Sequence, residues 1–412
     1  MTLSRVPHML GEIFLQLLKK EAASGRVGPL VFWDGYGLTN PQSGIFVYAK
    51  KLAEELNKLE IAPIVLSKID LKDFPGVRKI LIPPCIPLHS RFFARIENSK
   101  PIWPLCIGSF LVKNLKKNPS LFEGRNIVLH GLSNLNLPYL KSLRPKMNGS
   151  AHYRTVLTVH DLIPRLDATG VSFALRHQFK VLFPLAVNAA DAIICDSKWT
   201  RETLIQNHPL AASKAIVISC GVPPLDLTAC SGRKRLKKRT SLLAVSRYEV
   251  YKRLDFLLEI LRAKKGEFQL TIITDIHGKK ILHEKGADLV QEGRLELKVN
   301  CSQEELSRCY QESDVYLAPS LYEGFCLPAA EALSKGTPVV YQKGSATQEV
   351  VGSVVGIGLS REHSPQDWCD AIEKAVELSE DSQFSDNLKQ HFSQLGTWKS
   401  AAEKLREIYN AV

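Results

Sequence analysis

No stretch of about 18 or more uninterrupted apolar residues occurs in this 412-residue chain, so no segment reads as a membrane-spanning helix. The N-terminus lacks a basic head followed by a compact apolar run and a small-residue cleavage site, so secretion is not expected. The nine cysteines include no Cys-x-x-Cys pair and no regular framework, which argues against zinc and disulfide scaffolds. Several, such as Cys195 in DAIICDS, sit in apolar strand-like runs and read as reduced core residues of a cytoplasmic protein. No Asp-x-Asp element is present to hold a divalent metal. No helix-turn-helix, zinc-finger or RNP-type motif appears either, so nucleic acid is not an expected partner.

What is present is an ordinary globular composition, 45% hydrophobic and 23% charged, which excludes a disordered chain. At 412 residues, two cores are expected. The net charge of +12 is unevenly placed. Residues 1–230 hold 28 Lys and Arg against 16 Asp and Glu, and SGRKRLKKR at 231–239 holds six basic residues and no acid. Residues 240–412 reverse the sign, 20 against 26. A basic first half suits anionic lipid head groups at the inner face of a plasma membrane, or a phosphate-linked substrate. A plainly solvated basic surface accounts for it equally well.

Two series of strand–helix alternations are separated near residues 222–240, giving expected domains at 1–230 and 231–412, with a terminal helix that can cross back to the first. In the first series LVFWD (30–34) runs into DGYGLTNPQSG and a helical pattern over 45–59. Strands are expected at 63–67, 79–82, 127–130, 155–160, 192–195 and 215–219, with helices at 172–190 and 198–207, the second capped by Ser197. The second series begins with SLLAVS (241–246) and a helix at 254–262. It continues through strands at 269–274, 295–299, 315–318 and 338–341. Ser302 and Glu305 form a capping-box pattern for a helix at 303–312. Such alternation predicts α/β architecture: two doubly wound, Rossmann-like domains facing a cleft, with ligands at the carboxyl ends of the strands. Ahead of the first strand, Leu10, Ile13, Phe14, Leu17 and Leu18 form an amphipathic stripe. Packing on the domain's own core is the preferred reading of that stripe over a bilayer contact.

The strongest chemical signal is SLYEGFCLPAAEALSKGTPVV at 320–340. A strand runs into Glu323, Gly324 and Phe325, and a helix starts near Leu327 and Pro328. Proline costs nothing in a first helical turn, and the free N–H groups there form a site for a diphosphate. Gly324 would let the backbone approach such a ligand closely. Glu323 in the loop and Glu331 on the helix supply carboxylate acceptors for sugar hydroxyls and a ribose diol. A second element, Arg247-x4-Lys252 in SRYEVYKRLD, places two cations after a strand, where they can clamp a phosphate. By itself a basic pair at that place is ordinary surface charge.

In this combination and order the residues resemble the large retaining family four of glycosyltransferases, which has the GT-B fold. The family's E-x7-E element corresponds to Glu323–Glu331, its R-x4-K element to Arg247–Lys252, its N-terminal histidine to His160 in TVHDLIP, and its glycine-bearing loop to NPQSG with Gly44. HGLSNLNLPY, DAIICDSKWTRETL and VISCGV also resemble the family's segments. The resemblance implies a catalytic group of Glu323, His160, Arg247 and Lys252, with Gly44, Gly324, Phe325, Cys326, Leu327 and Glu331 binding substrate. In that scheme Arg247 and Lys252 neutralise the departing diphosphate, Glu331 holds the ribose and Glu323 holds the sugar. His160 reaches across the cleft to the sugar, and Gly44 lets its loop approach the phosphates. Hexose, with mannose or glucose favoured, would pass from a GDP- or UDP-linked donor to a glycan or lipid-linked acceptor, with no cofactor and no metal, by same-face attack. The look of the first half leans toward surface-polysaccharide enzymes. An epimerase or phosphorylase of the same architecture, or a non-catalytic nucleotide-sugar or glycan-binding scaffold, are the other readings. Two departures stand out: Cys326 where the family commonly has glycine, and Thr274-Asp275-Ile276 in place of a glycine-rich turn near the nucleotide base.

Overall fold

The computed structural model describes residues 28–67 without residue 42, 77–82, 103–117, 125–137, 152–167, 170–227 and 239–411, with short runs at 15–16 and 18–20 and positions 71 and 74. Most of the basic run at 231–239 and most of the amphipathic stripe lie outside the described residues. Leu18, which is described, is buried in the first core.

The first layer of strands comprises β1 (Leu30–Asp34), β2 (Ile64–Ser67), β3 (Arg78–Leu81), β4 (Ile127–Gly131), β5 (Tyr153–Val159), β6 (Ala192–Cys195) and β7 (Ala215–Val217). All pair in parallel, in the order β3-β2-β1-β4-β5-β6-β7. Parallel strands need crossovers, and helices supply them: α1 (Gly44–Lys58), α2 (Trp103–Lys117), α3 (Phe173–Ala189) and α4 (Lys198–Asn207). Local chemistry fixes their starts. Ser43 Oγ accepts the Phe46 N–H at 3.1 Å to begin α1, and Ser197 Oγ accepts the Thr200 N–H at 3.0 Å to begin α4. Phe46, Ala49, Leu52, Ala53 and Leu56 then recur at helical spacing and are buried.

The second sheet holds β8 (Thr240–Val245), β9 (Phe268–Ile273), β10 (Leu295–Lys298), β11 (Val315–Ala318), β12 (Val339–Gln342) and β13 (Gly356–Leu359), ordered β10-β9-β8-β11-β12-β13 and again all parallel. Its helices include α5 (Leu254–Ala263), α6 (Ile276–Lys285), α7 (Gln303–Glu312), α8 (Leu327–Ser334), α9 (Thr347–Val351), α10 (Pro365–Glu380), α11 (Phe384–Gln394) and α12 (Trp398–Ala411). The expected capping box is formed: Ser302 and Glu305 satisfy each other's backbone N–H groups at 3.1 and 2.7 Å.

The chain's last helix, α12, packs on α1 of the first sheet. Its Tyr409 hydroxyl meets His130 Nδ1 at 2.6 Å and accepts the Trp33 Nε1–H at 2.9 Å, all fully buried. His130 Nε2 meets Thr158 Oγ1 at 2.7 Å. Burial lowers the His130 pKa to about 3, so this ring stays neutral, donating a hydrogen bond to one hydroxyl and accepting one from the other. In each sheet the direction of strand addition reverses beside the first strand, at β1/β4 and at β8/β11. Crevices open at the carboxyl ends of such strands.

Candidate active site

Loops from both sheets meet at that position. After β8 the chain passes through Arg247 and a tight turn at Val250–Lys252, then through Arg253 in the left-handed conformation (φ 52°) into α5. After β11 it passes through Glu323 and Gly324 into α8. A backbone bond from Leu321 N–H to Tyr251 C=O, 2.9 Å, ties the two loops together. Lys252 Nζ donates to both Glu323 oxygens at 2.7 Å, with side-chain exposures of only 17% and 13%. Burial works against the Lys252 charge, but the Glu323 carboxylate more than compensates, and the lysine pKa is raised. The E-x7-E and R-x4-K elements thus meet through Glu323 and Lys252. Arg247 is exposed instead, and no hydrogen bond or ion pair links it to another described residue.

The helix start is also as expected. Pro328 sits in the first turn of α8, and no side chain caps that end. Uncapped N–H groups and the helix dipole there favour an anion. Cys326 is the N-cap and holds φ 76°, ψ 63°, a left-handed conformation that glycine adopts without strain. The backbone beside Glu323 therefore has a shape that glycine adopts readily. The Cβ is tolerated at some cost, and burial raises the Cys326 thiol pKa to about 12, so it is no nucleophile. Phe325 is buried and Leu327 half-buried beside it.

Glu331 lies on α8 with Oε2 accepting the Tyr310 hydroxyl of α7 at 2.8 Å. Burial raises the Glu331 pKa, and the tyrosine bond opposes that rise. One carboxylate oxygen is thereby pinned. Tyr310 escaped sequence reading because its partner is 21 positions away on a different helix.

Gly324 and His160 also make contacts within the protein that spacing alone does not give. Gly324 makes its close approach to protein: a Cβ there would stand 1.8 Å from the His160 carbonyl oxygen. Thr200 Oγ1 bridges the two backbones, 3.2 Å from His160 O and 3.4 Å from Gly324 O. Gly324 thus lets the two sheets' loops close on each other. His160, expected to reach across to a sugar, spends both ring nitrogens within the first half of the chain. Nδ1 meets Asp196 Oδ2 at 2.5 Å and Nε2 meets the Leu132 carbonyl at 2.8 Å. Both partners can accept hydrogen bonds, so the pair of contacts favours the charged ring. Burial disfavours that charge, yet Asp196 outweighs it and the pKa is raised.

Asp161, next in sequence, is the carboxylate of the first half that faces Lys252 and Glu323. Burial raises its pKa, against bonding from the Ile163 N–H and the charges of His160 and Lys252. Asn134 pins this corner, accepting the His160 N–H at 3.2 Å and donating to Asp161 C=O at 2.8 Å. Glu349 closes the outer edge: its two oxygens accept the Lys198 and Trp199 N–H groups at 3.0 and 2.5 Å, capping α4 from the other sheet. Gly44, the first residue of α1, is exposed and has nothing within 4 Å of a Cβ position, so its loop is open to a ligand.

The atypical turn at Thr274–Ile276 also has a structural reason. Asp275 caps α6 through Gly278 N–H at 2.8 Å and accepts the Tyr248 N–H at 2.9 Å, holding the Arg247 loop in place. Gly278 follows in the first turn of α6, where a Cβ would lie 2.6 Å from both Thr274 Oγ1 and Tyr248 Cβ.

A family model described as Glycosyltransferase Family 4 matches residues 42–224, and one described as Glycosyl transferases group 1 matches residues 232–391. The chain belongs to the family-four glycosyltransferases. Over 274 residues it is 26% identical to a D-inositol 3-phosphate glycosyltransferase of Corynebacterium aurimucosum, covering 62% of this chain and 64% of that protein. Over 107 residues it is 37% identical to the protein of the same description from Corynebacterium diphtheriae, covering 26% of this chain and 25% of that one. The chain thus spans less than two thirds of the length of these curated relatives. Among solved structures, HepE of Anabaena in complex with UDP-glucose matches with a TM-score of 0.67 at 16% identity, over 93% of this chain and 100% of that chain. Sucrose-phosphate synthase of Thermosynechococcus elongatus matches with the same score at 18% identity, over 93% and 98%. The two parallel sheets and these likenesses define the fold as GT-B, two Rossmann-like domains.

Proposed function

We propose that the protein is a retaining hexosyltransferase that moves mannose or glucose from a nucleoside-diphosphate sugar to a glycan or lipid-linked acceptor, without metal or other cofactor. The observation that carries this reading is the Lys252–Glu323 pair beside the uncapped start of α8, at the strand-order reversal of the second sheet. A diphosphate seated there meets the N–H groups of the helix start, Lys252 and the exposed Arg247. Glu331, steadied by Tyr310, accepts the ribose diol with its second oxygen. Glu323 and the backbone of residues 325–327 hold the hexose.

Breaking the anomeric C–O bond places negative charge on the departing diphosphate, and fixed cations and dipoles stabilise that charge without reorganising. A diphosphate oxygen takes the acceptor's proton as the acceptor attacks the same face. The first sheet's domain (1–230) receives the acceptor, and the second (231–412) binds the donor. Named relatives act on inositol 3-phosphate or transfer mannose, which supports a hexose donor and a hydroxyl acceptor. A lipid-linked acceptor would bring the protein to the inner face of the plasma membrane. Titrating the protein with UDP, GDP and their hexose conjugates tests the reading. Glu331→Ala should weaken nucleotide binding, and unchanged affinity would contradict its ribose role.

A further inference from the structure

We propose that the outer face of α3, with the turn at Pro209–Ala211 beside it, is a docking surface for an anionic lipid bilayer. It deepens the reading of a lipid-linked acceptor and rests on it for its purpose, but the surface is testable with no donor or acceptor present.

Helix α3 carries two apolar faces. Phe179, Phe183, Ala186 and Val187 fill the core beneath it. Phe173, Val181 and Leu185 point outward at multiples of four residues and are 81%, 49% and 43% exposed. The turn at Pro209–Ala211 packs alongside, with the His208 ring 5.2 Å from Phe183, and presents Leu210 at 74% exposure. These are four of the nine large apolar side chains exposed among the described residues, and all four lie on this one helix and the turn beside it. Arg176 and Lys180 run beside the stripe at the same spacing, both exposed. Residues 173–189 contain no acidic residue at all.

The charge pattern selects the occupant. Exposed apolar groups interleaved with cations, on a helix without carboxylates, match a surface of acyl chains beneath anionic head groups. The surrounding half of the chain adds its own excess of basic residues, 28 against 16 in residues 1–230. The position also fits. Just ahead of α3, Gly170 sits against the other sheet's loop, its Cβ position 3.4 and 3.5 Å from Tyr251 and Val250. That loop leads directly to Lys252. A bilayer on this face would therefore present a membrane-anchored acceptor at the mouth of the cleft.

The test is co-sedimentation of the whole protein with phosphatidylcholine vesicles, with and without about one third phosphatidylglycerol, at NaCl from about 0.05 to 0.5 M. Binding to the anionic vesicles that weakens with salt is expected. The pair Phe173→Ser and Leu185→Ser should lower the partition coefficient roughly tenfold or more. Arg176→Gln with Lys180→Gln should lower it roughly tenfold and flatten the salt dependence. All four positions are exposed, so unchanged melting of each variant verifies the fold. No vesicle binding by the wild type, or variants that bind as it does, would overturn the proposal. So would a wild-type dimer that the apolar variant splits without any vesicle affinity, since a second copy would then be the occupant. Vesicle binding by a protein that transfers no sugar would keep the docking face and remove the transferase reading. Transfer to a soluble acceptor with no vesicle binding would do the reverse.

Discussion

Removing the Lys252 ammonium isolates the pair on which the site is built. In Lys252→Met the Glu323 carboxylate loses both of its 2.7 Å bonds while remaining 87% shielded from solvent, since its side chain is 13% exposed. Breaking one partner of a buried pair costs about 3 kcal/mol, because the remaining charge stays uncompensated. For a domain of this size that corresponds to a fall in Tm of roughly 6–12 °C. Glu323→Gln added to Lys252→Met removes the stranded charge, so the double variant should regain most of that loss. Activity should behave differently. A fixed cation facing the departing diphosphate contributes about 10²–10³ in rate, and the double variant restores none of it. Calorimetric melting of the wild type, both single variants and the double variant, with transfer rates for each, separates the two effects. A Lys252→Met protein as stable as wild type, or one transferring sugar within about threefold of it, would refute the reasoning.

Three further outcomes are expected. Tyr310→Phe unpins Glu331 and removes the bond that opposes its raised pKa, so donor KM should rise roughly tenfold with little change in kcat. The pH below which donor binding fails should move upward in the same variant; a KM and pH profile like wild type would deny Tyr310 its positioning role. Gly324→Ala drives a Cβ into the His160 carbonyl, so the loops should separate, with a larger radius of gyration by X-ray scattering and loss of transfer. A variant as compact and active as wild type would contradict closure at this point. Buried His130 makes stability fall with acid. Its folded pKa of about 3 lies below the ordinary 6.5, so the unfolded chain binds the extra proton between those values. Stability from this group is whole above pH 6.5 and diminishes by roughly 5 kcal/mol as pH drops toward 3. The difference in urea-unfolding free energy between pH 7 and pH 4.5 should shrink in His130→Asn, and an identical difference would exclude His130 as its source.

Much of the fold was legible because short β-branched and aromatic runs end in turn residues, and helices begin at side chains that satisfy orphan N–H groups. Ser197 and the Ser302–Glu305 box are such signals, and each acts over three residues. Helix α2 was not foreseen; its Pro104 lies in the first turn, where proline is tolerated, and Gly108 is buried in the packed face. Strand β13 (GIGL) was also hidden, because glycine is a poor strand former. Here its smallness is the reason for its presence, since a Cβ at Gly356 would stand 2.5 Å from the Val339 carbonyl.

In the site, spacing brought out the residues that share a loop or a helix. What it did not reveal were contacts between distant segments: Tyr310 with Glu331, Gly324 with His160, Glu349 with the start of α4, and Tyr409 with His130 and Trp33. Those partners are brought together by the two sheets closing on one another, and no local pattern encodes that. The same contacts add to what the motifs say of two residues: His160 is held by Asp196, and Gly324 lies against the His160 carbonyl.

The most direct test of the central claim is release of nucleoside diphosphate from a panel of UDP- and GDP-hexoses, with and without lipid-linked and free glycan acceptors. Acceptor-stimulated release from a glucose or mannose donor is expected, with the sugar's anomeric configuration retained in the product by NMR and the signal abolished in Lys252→Met. No release and no binding with any donor, or release that survives loss of Lys252, would contradict it.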